Sequence, residues 1–181
     1  MQARIEIILG CMFSGKSSEL ITRCSRYKAI GKNILMINHT NDTRTEDNVA
    51  THSRIEAPAL KVSLLNDVFS QHKELYIHAD IIGIDEAQFF GDLKSFLILC
   101  EQNQKTVIIA GLDGDFNRNP FGQILECIPM CDEVVKLKAL DMVNNDGTEA
   151  IFTRRLVEGN ETIMVGASDK YIAVSRNNYL I

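Results

Sequence analysis

The feature that most narrows what this chain can become is Gly10-Cys11-Met12-Phe13-Ser14-Gly15-Lys16-Ser17, set between an apolar run and a segment of helical periodicity. It satisfies the pattern G-x4-G-K-[ST]. Glycine lacks a Cβ, so a loop built on Gly10 and Gly15 wraps closely enough for successive N–H groups to face phosphate oxygens. The positive end of the following helix adds to that field. In such a loop Gly10, Cys11, Met12, Phe13, Ser14, Gly15, Lys16 and Ser17 cradle the phosphates of a nucleoside triphosphate. Lys16 reaches the β and γ phosphates, and the Ser17 hydroxyl sits on Mg2+.

The flanking pattern sets the fold class. Ile5 to Leu9 reads as a strand buried on both faces and interrupted by Glu6. A helix follows from Ser17, with Leu20, Ile21 and Cys24 at helical spacing and Gly31 where a C-terminal glycine belongs. Asn33 to His39 is a second strand, and Thr40 to Ser53 is a polar stretch. Then come a helical segment around Leu64 to His72, a strand at Ile81 to Asp85, and a helix with Leu93, Phe96, Leu97 and Cys100 on one face. Thr106 to Leu112 is a further strand, Pro120 to Met130 is helical until Pro129, and Glu133 to Leu140 is strand-like. Strands alternating with helices imply parallel pairing through right-handed crossovers, hence an α/β open sheet over residues 1–140. Beyond Leu140 the chain is turn-rich, with short strands expected at Ile151 to Leu156 and Glu161 to Gly166. Residues 141–181 are too few for a core of their own and are expected to form an appended β element or lid.

Composition removes several alternatives. The 181 residues are 45% hydrophobic and 24% charged, which suits one principal globular unit. A formal charge of −5 without any run of Lys or Arg argues against a nucleic-acid partner. The N-terminal apolar run is too short for a membrane span. Five cysteines, an odd number in mostly apolar surroundings, suit reduced packing thiols in the cytoplasm; Cys127 and Cys131 fall at helical i, i+4 spacing.

A phosphate loop of this kind works with a carboxylate at the end of a neighbouring strand. Ile81 to Ile84 followed by Asp85 and Glu86 supplies two. Side chains alternate on an extended backbone, so the two acids take different tasks: Asp85 the Mg2+, Glu86 the proton of an attacking hydroxyl. The same acidic pair orients water in ATPases. From these residues alone a kinase, a RecA-like ATPase and a nucleotide sensor that has lost catalysis all stay open.

Beyond the loop, DTR at 42 to 44, TH at 51 and 52, GIDEAQFF at 83 to 90, LDGDFNRNPF at 112 to 121, VVKLKA at 134 to 139, FTRRL at 152 to 156 and DKY at 169 to 171 follow in order. Together they resemble type II thymidine kinases over nearly the whole chain. The resemblance implies a RecA-like P-loop core, a small lasso holding the nucleoside, and transfer of the γ-phosphate of ATP to the 5′-hydroxyl of thymidine, with deoxyuridine as a second substrate. It implies a cytoplasmic homotetramer inhibited by the end-product triphosphate, serving deoxynucleoside salvage for DNA synthesis. Glu86 then matches the general base and Asp85 the magnesium acid. Asp42, Arg44 and Gln88 match the nucleotide side. Met12, Phe89, Leu112 and Phe116 match the wall around the base. Thr153, the segment Thr162, Ile163, Met164, Val165 and Gly166, and Tyr171 match the lasso contacts.

The chain departs from that family pattern at three places. Where relatives carry two C-x2-C pairs for a structural zinc, it has Asp141, Asn144, Ser175 and Asn178. Serine and asparagine are poor zinc ligands, so no structural zinc is expected and the lasso must be held by packing, hydrogen bonds or subunit contacts. Asp115 stands where threonine is usual, with a charge that either alters base selectivity or faces solvent. Cys11 replaces a proline, and its thiol near a helix N-terminus is expected to be reactive.

Overall fold

The computed structural model describes residues 2–42, 48–50, 56–157 and 170–181. The apolar run ahead of the phosphate loop becomes β1 (Arg4–Gly10), and the helix after it is α1 (Lys16–Ala29). There follow β2 (Ile34–His39), the short antiparallel pair β3 (Asn48–Ala50) and β4 (Glu56–Pro58), then β5 (Leu60–Val62), α2 (Asn66–Gln71) and α3 (Lys73–His78). Next are β6 (Ile81–Ile84), α4 (Leu93–Gln102), β7 (Thr106–Gly111) and β8 (Glu133–Leu137). The expected helix around 64–72 is α2, and the second short helix after it, α3, was not anticipated.

Six strands form one sheet in the order β5-β2-β6-β7-β1-β8. Every pairing in it is parallel. This confirms the α/β open sheet. One strand, β7, lies between the loop-bearing β1 and the acid-bearing β6.

Alternation along the strands sorts the core into two layers. Ile7, Leu9, Ile37, Ile82, Ile84, Val107 and Ile109 pack with Leu93, Phe96, Leu97 and Cys100 of α4 and with Val68 and Tyr76. Ile8, Met36, Ile81, Ile108 and Ala110 pack on the other face with Leu20 and Cys24 of α1. The acid that interrupts β1 points toward α1 and is paired: Arg23 donates to Glu6 at 2.6 Å and also reaches Glu19 and Glu133, while Arg4 donates to Glu6 at 2.7 Å. A carboxylate this buried is tolerated because its charge is matched and hydrogen-bonded.

Two expected elements come out differently. Ile124–Met130 is 3-10 rather than α-helical, and Pro129 lies within it. Gly122, at φ +62, turns the chain just before, so the helix cannot begin at Pro120. The expected strand 133–140 breaks at Lys138: β8 stays in the main sheet, whereas β9 (Ala139–Leu140) pairs antiparallel with β10 (Glu149–Ala150). Then β11 (Phe152–Arg155) pairs antiparallel with β12 (Tyr171–Val174), and a single helical turn, α5 (Arg176–Tyr179), follows. The strand expected at 161–166 lies outside the described residues.

The small sheets are seated directly on the phosphate loop. Cys11 and Phe13 pack with Ala139, Ala150 and Ala173, and the Met12 N–H donates to Thr153 Oγ1 at 3.0 Å. All five cysteines are unpaired, as expected, and Cys131 Sγ donates to the Cys127 carbonyl at 3.0 Å.

Candidate functional site

In an open parallel sheet, ligands gather at the carboxyl ends of the strands, where loops diverge. Here that edge carries Gly10 of β1, Asp85 and Glu86 after β6, Leu112 after β7, and Asp42 after β2. Gly10 is required by space: a Cβ there would stand 2.6 Å from the Leu137 carbonyl oxygen and 2.6 Å from Ser14 Oγ. The loop closes on itself, because Ser14 Oγ and Lys16 Nζ both donate to the Cys11 carbonyl, at 2.8 and 2.7 Å. Phe13 sits at φ +64, a conformation held by its packing beneath the small sheets. Gly15 is the left-handed residue from which α1 starts, so Lys16 and Ser17 occupy the first turn.

Lys16 faces the acids. Burial pulls its ammonium below the ordinary lysine value, and Glu86, Asp85 and Asp113 pull it back up. Asp85 is 1% exposed. A serine hydroxyl and a carboxylate are hard oxygen donors, the kind that suit Mg2+ beside phosphates. Asp42 is also buried at this edge, where Asn38 Nδ2 donates to its Oδ2 at 2.8 Å. Arg44 lies outside the described residues.

Glu86 is the strained member. Its backbone is left-handed, at φ 52 and ψ 37, and it leads into the 3-10 turn Ala87–Phe89. A left-handed glutamate costs about 1 kcal/mol or more and persists only where its surroundings enforce it. The enforcement comes from Gln88, whose Nε2 donates to Glu86 Oε2 at 2.7 Å while its Oε1 accepts the Leu112 N–H at 2.9 Å. Gln88 is 2% exposed, in a slot whose walls are glycines. A Cβ on Gly111 would meet Gln88 Oε1 at 2.7 Å, and one on Gly122 would meet the Gln88 carbonyl oxygen at 2.0 Å. Gln88, expected beside the nucleotide, is buried and holds both the Glu86 carboxylate and the Leu112 amide.

Of the aromatic residues expected at the base, Phe89 follows the acidic pair at this edge. Phe89 meets Phe121 edge to face, with centroids 5.5 Å apart, and lies 5.5 Å from the His39 ring. His39 was not anticipated. Its Nδ1 accepts the Asn41 N–H, and burial lowers its pKa, so at neutral pH it is an uncharged ring beside Phe89 and Phe90. Phe116 has the Arg155 guanidinium over its ring at 5.1 Å. Thr153 faces the phosphate loop through Met12, and Tyr171 is buried in β12. Thr162, Ile163, Met164, Val165 and Gly166 lie outside the described residues.

Each family departure has a physical account. Asp115 Oδ1 accepts the N–H groups of Asn117 and Asn119, both at 2.8 Å, so its charge is spent closing its own loop. Cys11 is 2% exposed, and burial raises its pKa, which overturns the expectation of a reactive thiol. At the positions of the missing zinc ligands, Asp141 is enclosed by donors: the N–H groups of Val143, Asn144 and Ser175, and Asn178 Nδ2, which reaches both oxygens at 3.0 and 2.9 Å. Asn178 Nδ2 also donates to Asn144 Oδ1 at 3.0 Å. These residues do not fit a zinc ion, because a cation on Asp141 would face amide hydrogens. Among the described residues no group of three His, Cys, Asp or Glu side chains is arranged to hold a metal.

The comparisons with known proteins agree with this geometry. The family model described as "Thymidine kinase" matches residues 3–179. "Thymidine kinase 1" of Dictyostelium discoideum is 40% identical over 181 residues, covering 97% of this chain and 77% of that protein. "Thymidine kinase, cytosolic" of Homo sapiens is 41% identical over 178 residues, covering 98% of this chain and 74% of that protein. "Thymidine kinase" of Vaccinia virus (strain Western Reserve) is 40% identical over 176 residues, covering 97% and 96%.

Proposed function

Because the chain belongs to the thymidine kinase family, we propose that it transfers the γ-phosphate of ATP to the 5′-hydroxyl of thymidine, and of deoxyuridine as a second substrate. The observation that carries the reading is the Glu86 carboxylate, braced by Gln88 and near enough to Lys16 of the phosphate loop to act on its charge. Glu86 accepts the proton of the 5′-hydroxyl as that oxygen attacks the γ-phosphorus, and the ADP oxygen leaves in line. Lys16 and the N–H groups of residues 10–17 hold the phosphates. Ser17 and Asp85 hold Mg2+, which supplies charge neutralisation on the phosphate oxygens when bound. Asp42 and Arg44 close over the phosphates. Met12, Phe89, Leu112 and Phe116 receive the base, and Thr153, Thr162 to Gly166 and Tyr171 hold it from the lasso. The RecA-like ATPase reading is the less supported one.

The assembly is a homotetramer in the cytoplasm, inhibited by the end-product triphosphate, and the knot around Asp141 replaces a structural zinc. No helix of the described residues is long and apolar enough to cross a membrane. The test is Glu86→Gln, which keeps the shape and removes the base. Its kcat is expected to fall by about 10²- to 10⁴-fold with thymidine affinity retained. Unchanged turnover would remove Glu86 from the reaction, and ADP formation independent of thymidine would return the chain to the ATPases.

A further inference from the structure

The loop 112–121 is anchored in the site at both ends. Its first amide donates to Gln88, and its last ring meets Phe89 edge to face. Its tip is held from elsewhere in the chain. Tyr179 Oη, on α5 near the C-terminus, donates to the Phe116 carbonyl at 2.8 Å across 63 residues of sequence. The Tyr179 ring lies 5.0 Å from Phe152 on β11, and the Arg118 guanidinium sits 4.4 Å from the Tyr179 centroid and 5.6 Å from that of Phe152. Arg118 is left-handed at φ 67. A strained residue held by stacking, together with a carbonyl taken by a phenol, marks a loop whose conformation is imposed from outside.

We propose that Tyr179 is a positioning residue for the nucleoside: its hydroxyl fixes the Phe116 backbone and so the apolar wall against which the base lies. The inference rests on the reading of Phe116 as part of that wall. Tyr179 acts through the Phe116 backbone, and so on affinity for the nucleoside rather than on the chemical step. It joins the Met12–Thr153 hydrogen bond and the Arg155 contact with Phe116 in coupling the small C-terminal sheets to the site.

Tyr179→Phe keeps the ring and the Arg118 stacking and deletes only the donor. The expected result is a thymidine KM raised about five-fold, with kcat and the KM for ATP unchanged, the size expected of one net hydrogen bond. Tyr179→Ala also removes the ring and raises the thymidine KM further, so the Phe variant partly restores the Ala defect. Amide exchange of the protein without substrate gives a second readout. The amides of Asp115, Asn117, Arg118 and Asn119, all hydrogen-bonded within the loop, are expected to exchange faster in Tyr179→Phe. Unchanged exchange would show that the bond does not hold the loop and would overturn the proposal. Faster exchange with an unchanged thymidine KM would overturn it too, by showing that the held loop does not form the base wall. Failure of wild-type protein to phosphorylate thymidine would instead sink the underlying reading.

Discussion

Replacing Gly122 by alanine should impair the enzyme through the backbone of Gln88. The new Cβ would stand 2.0 Å from the Gln88 carbonyl oxygen, 2.9 Å from its carbonyl carbon and 3.2 Å from its Cα. All three are backbone atoms, so no side-chain rotation relieves the clash. Reaching ordinary van der Waals contact requires a relative shift of about 1.4 Å. Gln88 holds Glu86 at 2.7 Å and the Leu112 amide at 2.9 Å, and a shift of that size stretches both beyond hydrogen-bonding range. Alanine at φ +62 costs a further 1 kcal/mol or so. With about 1 kcal/mol for each lost bond, the destabilisation is about 3 kcal/mol.

Gly31→Ala is the matched control, since Gly31 has φ +78 and nothing within 4 Å of its would-be Cβ. It carries only the backbone penalty, about 1 kcal/mol. For a chain of this size the two variants should melt about 6–12 °C and about 2–4 °C below wild type. Coupled phosphotransfer assays should find kcat reduced about 10- to 100-fold in Gly122→Ala, the scale set by misplacing a catalytic group by an ångström, and unchanged in Gly31→Ala. Gln88→Met, which fills the slot but deletes both bonds, should lower kcat while leaving the KM for ATP intact. Equal melting and equal kcat for the two glycine variants would refute the reasoning. A raised KM for ATP in Gln88→Met would return Gln88 to the nucleotide.

Three further expectations concern the departures from the family pattern. Purified protein should contain no stoichiometric zinc, and a chelator should leave its Tm unchanged; one tightly held zinc per chain overturns the account of Asp141. Burial pushes the Asp141 carboxyl up, but hydrogen bonds from Ser175, Asn144 and Asn178 outweigh it and hold the group well below the ordinary carboxylate range. The stability this lends is therefore whole above about pH 4, the unfolded value, and lost as pH falls below it. Asp141→Asn should melt lower than wild type at pH 7, with the gap closing in acid; a gap independent of pH counts against the charge. Native protein at pH 8 should show no fast thiol toward an aromatic disulfide reagent, since Cys11 is buried and burial pushes Cys24, Cys100 and Cys131 up to about 12. Stoichiometric labelling of Cys11 before unfolding would contradict its burial.

How far these features were legible depends on their span along the chain. The phosphate loop, α1 and the apolar strands are written in contiguous residues whose spacing is itself the geometric requirement, so they read correctly. The role of Glu6, which interrupts β1, is not legible locally, because its partner Arg23 lies 17 residues away on α1 and is shared with Glu133 of the neighbouring strand β8. The helix expected at 120–130 failed for a related reason. The apolar spacing is helical, but Gly122 must take a left-handed turn to clear Gln88, and that demand is set by a residue 34 positions earlier. Nor does any local signal mark Tyr179, whose partner is a backbone carbonyl on a distant loop.

The acidic pair shows what strand periodicity leaves out. Alternation on an extended backbone would send Asp85 and Glu86 to opposite faces. Yet β6 ends at Ile84, and Glu86 is left-handed rather than extended. The two carboxylates are separated by a tight, strained turn, which strand periodicity does not encode. That strain is sustained by Gln88, and Gln88 fits only because Gly111 and Gly122 leave it room. The position of the proposed base therefore depends on three residues that no motif-level reading would call catalytic. Two of them are glycines whose necessity appears only when the space around a missing Cβ is measured.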